Sequence, residues 1–586
     1  MSRGTAFLPL LAVLLSAQTS VIRVNTRLVE ISVVVTDQNG RPVEGLDKSD
    51  FAVFDRNKEQ NIAVFSFQST RAPEKPANPL AEGMYTNRPE KRAESPGTAT
   101  VVLLDAVNTR IEDQAYAKQQ FIKFLGQIRA EDRVAVYALG TRLRVLHDFT
   151  GNSRALVNSV ARYRGEAVAQ TSDAEPDPAN TGDSDLDTWL NNKNALLADN
   201  AIQSRVDATV AAMEAIANHI GRLPGRKNLV WITGSFPFAI GQHATESVTN
   251  WNDLPDPTKS ASPASGRAGA ASKSSPAGST DKDSSTESEY GIDRNTLPGN
   301  AQPAREVFKA FDLELARATR ALNNANIAVY PVDARGLLDM PRMMTAQSPG
   351  IVKPSRLGSQ AMPPIFMAPA GINVMQVTAE NTGGRAYYNT NDIQHAIRDA
   401  IDDSVASYTL GFYADTNTLD SQFHKLKVTV NRKHDSTRYR RGYIAAPERV
   451  PDGDHRELLI SDAVWSPLDS SAISLDGWVE KLAEPKPNAM RVTVSVDPAD
   501  LFFAEHDGVH TVSVRFAFAL LASDGRSLDV IHQTKTMDLD LSKFQELSKK
   551  FVVSKTIDIN PAVTQVKVIL LDQATSRLGS LTMPVK

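Results

Sequence analysis

Three continuous apolar runs mark the middle of the chain: Thr98–Leu104 ahead of Asp105, Asn228–Thr233, and Ile327–Val332 ahead of Asp333. Runs of this kind read as strands buried on both faces, as inside a parallel sheet. Helix-period segments lie between and after them. Asp113–Ile128 carries Ala117, Phe121, Phe124, Leu125 and Ile128 on one stripe, and Ala201–Ile220, Arg305–Asn324, Ile372–Thr382 and Asp392–Ala406 follow. Val134–Leu139 and Leu143–His147 flank a connection so short that the two must pair antiparallel. Arg385–Tyr388 and Tyr408–Tyr413 read as the last strands. Alternation of strand and helix predicts an α/β fold with a doubly wound, mostly parallel sheet covered on both faces.

The flanking regions alternate at period two instead. Leu28–Asp37 runs into Asn39-Gly40, a turn signal, and Phe51–Phe54 and Ile62–Phe67 follow. His424–Val430 and Thr437–Ile444 read as antiparallel strands expected to pair with the N-terminal ones, so that the α/β unit is inserted into a small β-domain. Arg491–Val496, Val512–Leu521 and Thr564–Leu571, with a turn at Asp524-Gly525, predict a C-terminal β-sandwich. The organisation expected is a signal peptide at 1–17, a β-module at 18–70, a linker at 71–97, the α/β domain at 98–415, returning strands at 421–446 and the sandwich at 455–586. Three insertions interrupt the α/β domain: an acidic loop at 166–199, a Ser/Ala/Pro/Gly-rich stretch at 241–303 and a Met/Pro-rich one at 340–369.

Length and composition narrow the classes. At 586 residues the chain needs several cores. A net charge of -4 with no basic stripe argues against nucleic acid as a partner. The absence of cysteine excludes disulfides, thiolate metal sites and cysteine nucleophiles. Arg3, the apolar run Ala6–Leu15 and Ser16-Ala17-Gln18 have the layout of a secretory signal, and no later segment reaches the ~18 apolar residues of a membrane span. The expectation is an exported protein that is periplasmic, cell-surface or secreted. No His-Glu-x-x-His, Gly-x-Ser-x-Gly or phosphate-cradling loop occurs.

Open α/β sheets place ligand sites at the carboxyl ends of their strands. There this chain has Asp105-Ala-Val107-Asn108-Thr109, Thr233-Gly234-Ser235 and Asp333 with Arg335. The plainer readings are that Asp105 caps its loop by accepting from backbone amides and that Asp333 forms a local ion pair.

Several motifs together resemble the von Willebrand factor A-related proteins common in Acidobacteria. They are Val33 to Leu46, Asp50-Phe, Leu104 to Thr109, Asp132 to Tyr137, Asp148 to Thr150, Asn326 to Leu337, Thr382 to Arg385, Tyr408 to Tyr413 and Arg441 to Tyr443. The resemblance implies a von Willebrand factor A (Rossmann-like) domain whose first loop begins a metal-ion-dependent adhesion site, Asp-x-Ser-x-Ser. Asp105 and Thr109 match that pattern, Val107 replaces the first serine, and Asn108 is a substitute donor. The threonine of the second loop gives way to the acidic insertion, where only Thr171 or Thr181 could stand in. The Thr-Asp-Gly of the third loop is here Thr233-Gly234-Ser235. The implied site is therefore a degenerate one for Mg²⁺ (or Mn²⁺ or Ca²⁺) at Asp105, Asn108 and Thr109, with Asp333 and Ser235 as binding residues beside it. The implied function is non-enzymatic, adhesion-type binding of a protein, peptide or glycan. A metal-independent scaffold of an envelope assembly and a hydrolase using Asp105 and Asp333 are the alternatives. Oligomeric state stays open.

Overall fold

A computed structural model describes residues 27–69, 80–88, 91, 99–129, 131–166, 184–223, 225–234, 314–337, 372–414, 423–432, 436–445, 453–482, 489–506, 509–540, 542–543, 546 and 551–585. The signal segment, most of the expected linker, the insertions at 241–303 and 340–369, Ser235, Thr171 and Thr181 lie outside the described residues. The described helices are α1 (Ile111–Leu125), α2 (Ser153–Arg162), α3 (Ser184–Ile220), α4 (314–324), α5 (Ile372–Thr382), α6 (Ile393–Asp402) and α7 (Gly453–Trp465).

The central sheet has the order Ile327–Asp333, Lys227–Thr233, Ala99–Asp105, Val134–Leu139, Leu143–Thr150. Its first four strands are parallel, and the last is the antiparallel arm of a hairpin. Every residue of the four parallel strands is buried, which explains their unbroken apolar runs. Successive side chains alternate between two cores. Val101, Leu103, Tyr137, Trp231 and Val329 face α3, α4 and α5. Val102, Leu104, Val136, Val230 and Tyr330 face α1, α2 and α6.

The other four sheets are antiparallel. Ser436–Arg438, Arg27–Thr36, Ala406–Ala414 and Val64–Ser69 form one. A second comprises Gly442–Ile444, Phe423–Val430, Phe51–Asp55 and Lys58–Gln60, and the two share one core of Ile31, Val33, Val53, Leu410, Phe412 and Val428. The last two sheets pack as a C-terminal sandwich. One is Phe551–Asp558, Ala489–Val496, Leu475–Lys481 and Tyr85–Thr86. The other is built on the hairpin Val509–Leu521/Ser527–Leu539 with Gln565–Asp572 and Leu578–Pro584. Helix α7 covers the outer face of that sheet through Ile460 and Val464. The end of α3 docks on this sandwich: His219 Nδ1 lies 2.6 Å from the Asp469 carbonyl, and Arg222 pairs with Asp500.

This architecture corrects the fold class expected for the chain. A von Willebrand factor A, Rossmann-like, doubly wound parallel class does not describe a molecule in which parallel pairing is confined to four strands of one sheet, among twenty-two described strands. The described chain is predominantly antiparallel β. The physical reason lies in strands assigned to the wrong partners. Ala406–Ala414, expected to finish the parallel sheet, lies between Arg27–Thr36 and Val64–Ser69 with antiparallel register Ile31↔Leu410 and Phe65↔Leu410. Arg385–Tyr388 does meet the central sheet in parallel, beside Ile327–Asp333, but through the single bridge Val332↔Tyr387. Tyr85–Thr86, within the expected linker, joins the C-terminal sandwich. Residues 184–199, read as acidic loop, are helical as part of α3. Leu190, Ala195, Leu196, Leu197 and Ala198 are strong helix formers.

Two local devices shape the central unit. After α5 the chain stops at Gly383-Gly384. Gly383 has φ +81°, and a Cβ there would lie 2.7 Å from the Arg440 amide nitrogen; a Cβ on Gly384 would collide with the Val329 carbonyl. Both glycines therefore let the end of α5 press against its neighbours. The second device is Lys227, at the start of its strand and 2% exposed, which donates to the carbonyls of Leu223 (2.7 Å) and Gly221 (3.3 Å). Burial pushes its pKa from the ordinary 10.5 down to about 7. The unfolded chain therefore holds this proton more tightly than the folded one. The burial penalty is fully present below pH 7 and gone above 10.5, so stability should rise with pH between these values. The expected limiting slope is about 1.4 kcal/mol per pH unit. Urea unfolding across that window should show the rise in the wild type and a flatter profile in Lys227→Met. Equal slopes in the two proteins would refute the assignment.

Candidate functional site

Strand Ala99–Asp105 ends at the carboxyl edge of the central sheet, and its last residue turns into a buried loop. Asp105, Ala106, Val107, Asn108 and Thr109 are all under 5% exposed. The Asp105 carboxylate is held by N–H donors on both oxygens. Asn108 N donates to Oδ1 (3.0 Å), while Asn108 Nδ2 (2.8 Å) and Trp231 Nε1 (2.9 Å) donate to Oδ2. Burial raises its pKa above the usual carboxylate value, against the lowering pull of the Asn108 and Trp231 hydrogen bonds.

The network closes through α3. Asn108 Nδ2 also donates to Thr209 Oγ1 (2.9 Å), Thr209 Oγ1 donates to the Arg205 carbonyl (2.8 Å), and Arg205 Nε donates to Asn108 Oδ1 (3.2 Å). This fixes the orientation of the Asn108 amide: its oxygen faces a guanidinium and its nitrogen faces Asp105. Thr109 Oγ1 accepts from Gly234 N (2.8 Å). A Cβ on Gly234 would lie 3.1 Å from Thr109 Cγ2 and 3.3 Å from the Asn108 carbonyl, so the small residue lets the two loops close on each other.

The structure thus brings Asp105, Asn108 and Thr109 together, but as a hydrogen-bonded lock. A divalent cation needs several oxygen ligands turned toward one point. Here the Asp105 oxygens face N–H groups and the Thr233 hydroxyl, the Asn108 oxygen faces Arg205, and Thr109 Oγ1 is engaged by Gly234 N. Among the described residues, no group of three or more His, Cys, Asp or Glu side chains could hold a metal. These residues do not fit Mg²⁺, Mn²⁺ or Ca²⁺.

Asp333 closes the edge strand, one strand beyond Lys227–Thr233, and is fastened separately. Its Oδ1 accepts from Arg335 N (3.0 Å) and Nε (2.9 Å), and its Oδ2 accepts from a terminal guanidinium nitrogen of Arg335 (2.8 Å). Beyond it Leu337 is 56% exposed, and Ile111, at the start of α1 on the same edge, is 43% exposed.

A cavity of about 230 Å³ opens beside the lock, between α1 and residues 163–165, with Leu104, Ile232 and Ala334 among its walls. Gln114 spans it from α1, donating through Nε2 to the carbonyls of Thr109 (2.7 Å), Glu166 (3.0 Å) and Ala106 (3.2 Å).

Sequence reading placed Asp105 and Asp333 at the strand ends but did not find Arg205, Thr209, Trp231, Gln114 or Tyr163. One signal was there: Arg205 and Thr209 sit four apart among the apolar positions Val206, Val210 and Met213 of a helix read only as packing. A cation on a buried stripe needs a partner.

No family model and no curated protein matches the chain. Among solved structures, a mutant of the PilB minor pilin from Streptococcus sanguinis aligns at 11% identity and TM-score 0.21, over 52% of this chain and 60% of that one. The three N-terminal domains of the type V pili tip protein Mfa5 from Porphyromonas gingivalis align at 9% identity and TM-score 0.23, over 89% of this chain and 96% of that one. At these TM-scores the overlaps establish neither a shared fold nor a shared role.

Proposed function

We propose that this chain is an exported, non-enzymatic binding protein that engages a protein, peptide or glycan through the carboxyl-edge loops of its central sheet, without a bridging metal. The observation that carries this reading is the closed network around Asp105, which occupies the oxygens a cation would need. The exposed apolar side chains Ile111 and Leu337 on the same edge supply contact area that depends on no ion. Hydrolysis by an aspartate pair gains no support, since Asp333 is clamped by Arg335 and Asp105 by N–H donors.

Calorimetric titration with Mg²⁺ or Mn²⁺ should give no binding heat, and saturating cation should leave Tm unchanged, because a ligand that does not bind the native state does not stabilise it. Capture of a partner from envelope extract should survive EDTA and weaken in Leu337→Glu, which changes the edge without touching the lock. Cation binding that is lost in Asp105→Ala would overturn the metal-independent reading, and so would capture abolished by EDTA.

A further inference from the structure

Strand Ser527–Leu539 of the C-terminal sandwich is thirteen residues long and, among the described residues, pairs on one side only, with Val509–Leu521. Every second residue along it directs its N–H and C=O away from that neighbour, so its outer side is an unpaired ladder. Edges of this kind are ordinarily blunted by shortness, by proline or by a bulge in mid-strand. None of these guards is present. Neither proline nor glycine falls between 527 and 539, and the one shift of register lies at the Leu520/Leu521 step, next to the turn.

A lysine is the other common guard, because an isolated charge opposes pairing, and Lys535 stands in mid-strand. It is answered within the same strand. Asp529 lies three residues before His532 and Lys535 three residues after it. Their even separation puts both side chains on one face, the face on which Ile531 and Met537 pack toward the sandwich core. The ion pairs nearby, Arg526–Asp524 and Lys543–Asp540, leave both charges out. Asp529 Oδ1 accepts from Val530 N (2.8 Å), which leaves Oδ2 without a partner among the described residues.

A twofold axis through His532, perpendicular to the sheet, would lay this strand antiparallel against its own copy. Asp529 then faces Lys535 of the second copy, and Lys535 faces its Asp529. Val530 meets Thr534 and Leu528 meets Thr536, so each β-branched or apolar side chain has a cross-strand neighbour. Moving the axis to Gln533 sets Asp529 against Met537 and Lys535 against Ile531, and both charges lose their partners. Charge complementarity thus selects the register centred on His532.

We propose that the free edge of Ser527–Leu539 is the interface of a symmetric dimer of this chain, in which two such strands pair antiparallel about His532 and two Asp529–Lys535 ion pairs close across the axis. The surface belongs to the C-terminal sandwich and not to the carboxyl edge of the central sheet, so this assignment and the reading of that edge stand or fall separately.

Sedimentation equilibrium on the full chain tests it. Paired edges bury a narrow strip, so half-dissociation is expected at roughly 10–100 μM, with the mass rising from that of one chain to that of two. Asp529→Lys and Lys535→Asp should each weaken the dimer about tenfold, since each sets like charges opposite one another twice. The two substitutions together should restore it, which also shows that the single variants fail in pairing and not in folding. The chain has no cysteine, so one introduced thiol reports the register. Directly opposed Cα atoms lie about 4.5–5.5 Å apart, within reach of a disulfide. His532→Cys should therefore yield a disulfide-linked dimer on mild oxidation. Thr534→Cys should not, because its counterpart is displaced by about 13 Å along the strand. A chain that stays monomeric to about 200 μM would overturn the proposal. A dimer indifferent to both charge variants pairs through another surface, and equal cross-linking at 532 and 534 means no fixed register; either result rejects the assignment. So does amide protection of Ser527–Leu539 that appears only when a different protein is added, which would give the edge to that protein.

Discussion

Asp105→Ala is expected to cost the fold on the order of 3–5 kcal/mol, because it leaves Trp231 Nε1, Asn108 N and Asn108 Nδ2 facing an apolar methyl group. The sign separates two views of the position. In a vacant metal site, removing a carboxylate relieves repulsion among ligands and leaves stability equal or higher. In a lock, it orphans donors. Urea unfolding at constant m reads the difference directly. Trp231→Phe removes one donor, while Oδ2 still accepts from Asn108, and leaves a smaller ring at a fully buried position, so a cavity cost adds to the about 1–2 kcal/mol of the lost hydrogen bond. A loss below about 1 kcal/mol in Asp105→Ala, the worth of a single ordinary hydrogen bond, would show that the network does not hold the loop.

The second large effect is expected in the small N-terminal sandwich. Asp55, at the end of its strand, accepts from the Tyr443 hydroxyl (2.8 Å), and His424 Nδ1 lies 2.9 Å from both of its oxygens; all three side chains are buried. They come from three strands of one sheet, Phe51–Asp55, Phe423–Val430 and Gly442–Ile444, so the cluster ties the start of the described chain to residues more than 360 positions later. Asp55→Ala should cost about 3 kcal/mol by removing the buried acceptor that the His424 imidazole and the Tyr443 hydroxyl share. A double-mutant cycle with Tyr443→Phe should show a coupling of about 1 kcal/mol or more. Additive effects would mean that the three groups do not act together.

The buried strands were legible because burial on both faces leaves an unbroken apolar run, as in Ala99–Asp105 and Lys227–Thr233. Strand partners were not. Ala406–Ala414 is nearly as fully buried as a parallel strand, with eight of nine residues buried, yet it pairs antiparallel on both sides. Period and hydropathy report how much of a strand is covered; they do not report the direction of its neighbour. The hairpin between Phe51–Asp55 and Lys58–Gln60 was also missed. Its turn places Arg56 (φ 47°) and Asn57 (φ 65°) in the left-handed region usually marked by Asn-Gly, so the sequence carried no turn signal there. At the site, the location of Asp105 followed from its place after a buried run. Its partners did not, because they come from a helix a hundred residues later and from the side-chain nitrogen of a core tryptophan, and neither leaves a local pattern.

The pairing of Arg27–Thr36 with Ala406–Ala414 has a mechanical consequence. The central unit leaves and re-enters the small sandwich at neighbouring points, since Ser69 stands opposite Ala406. Tension between the two ends of the chain would cross from Arg27 to Ala414, which face each other, and would unzip that strand pair one hydrogen-bonded step at a time. A pull applied at those two facing residues would open this pair before it strained the sheet bearing Asp105.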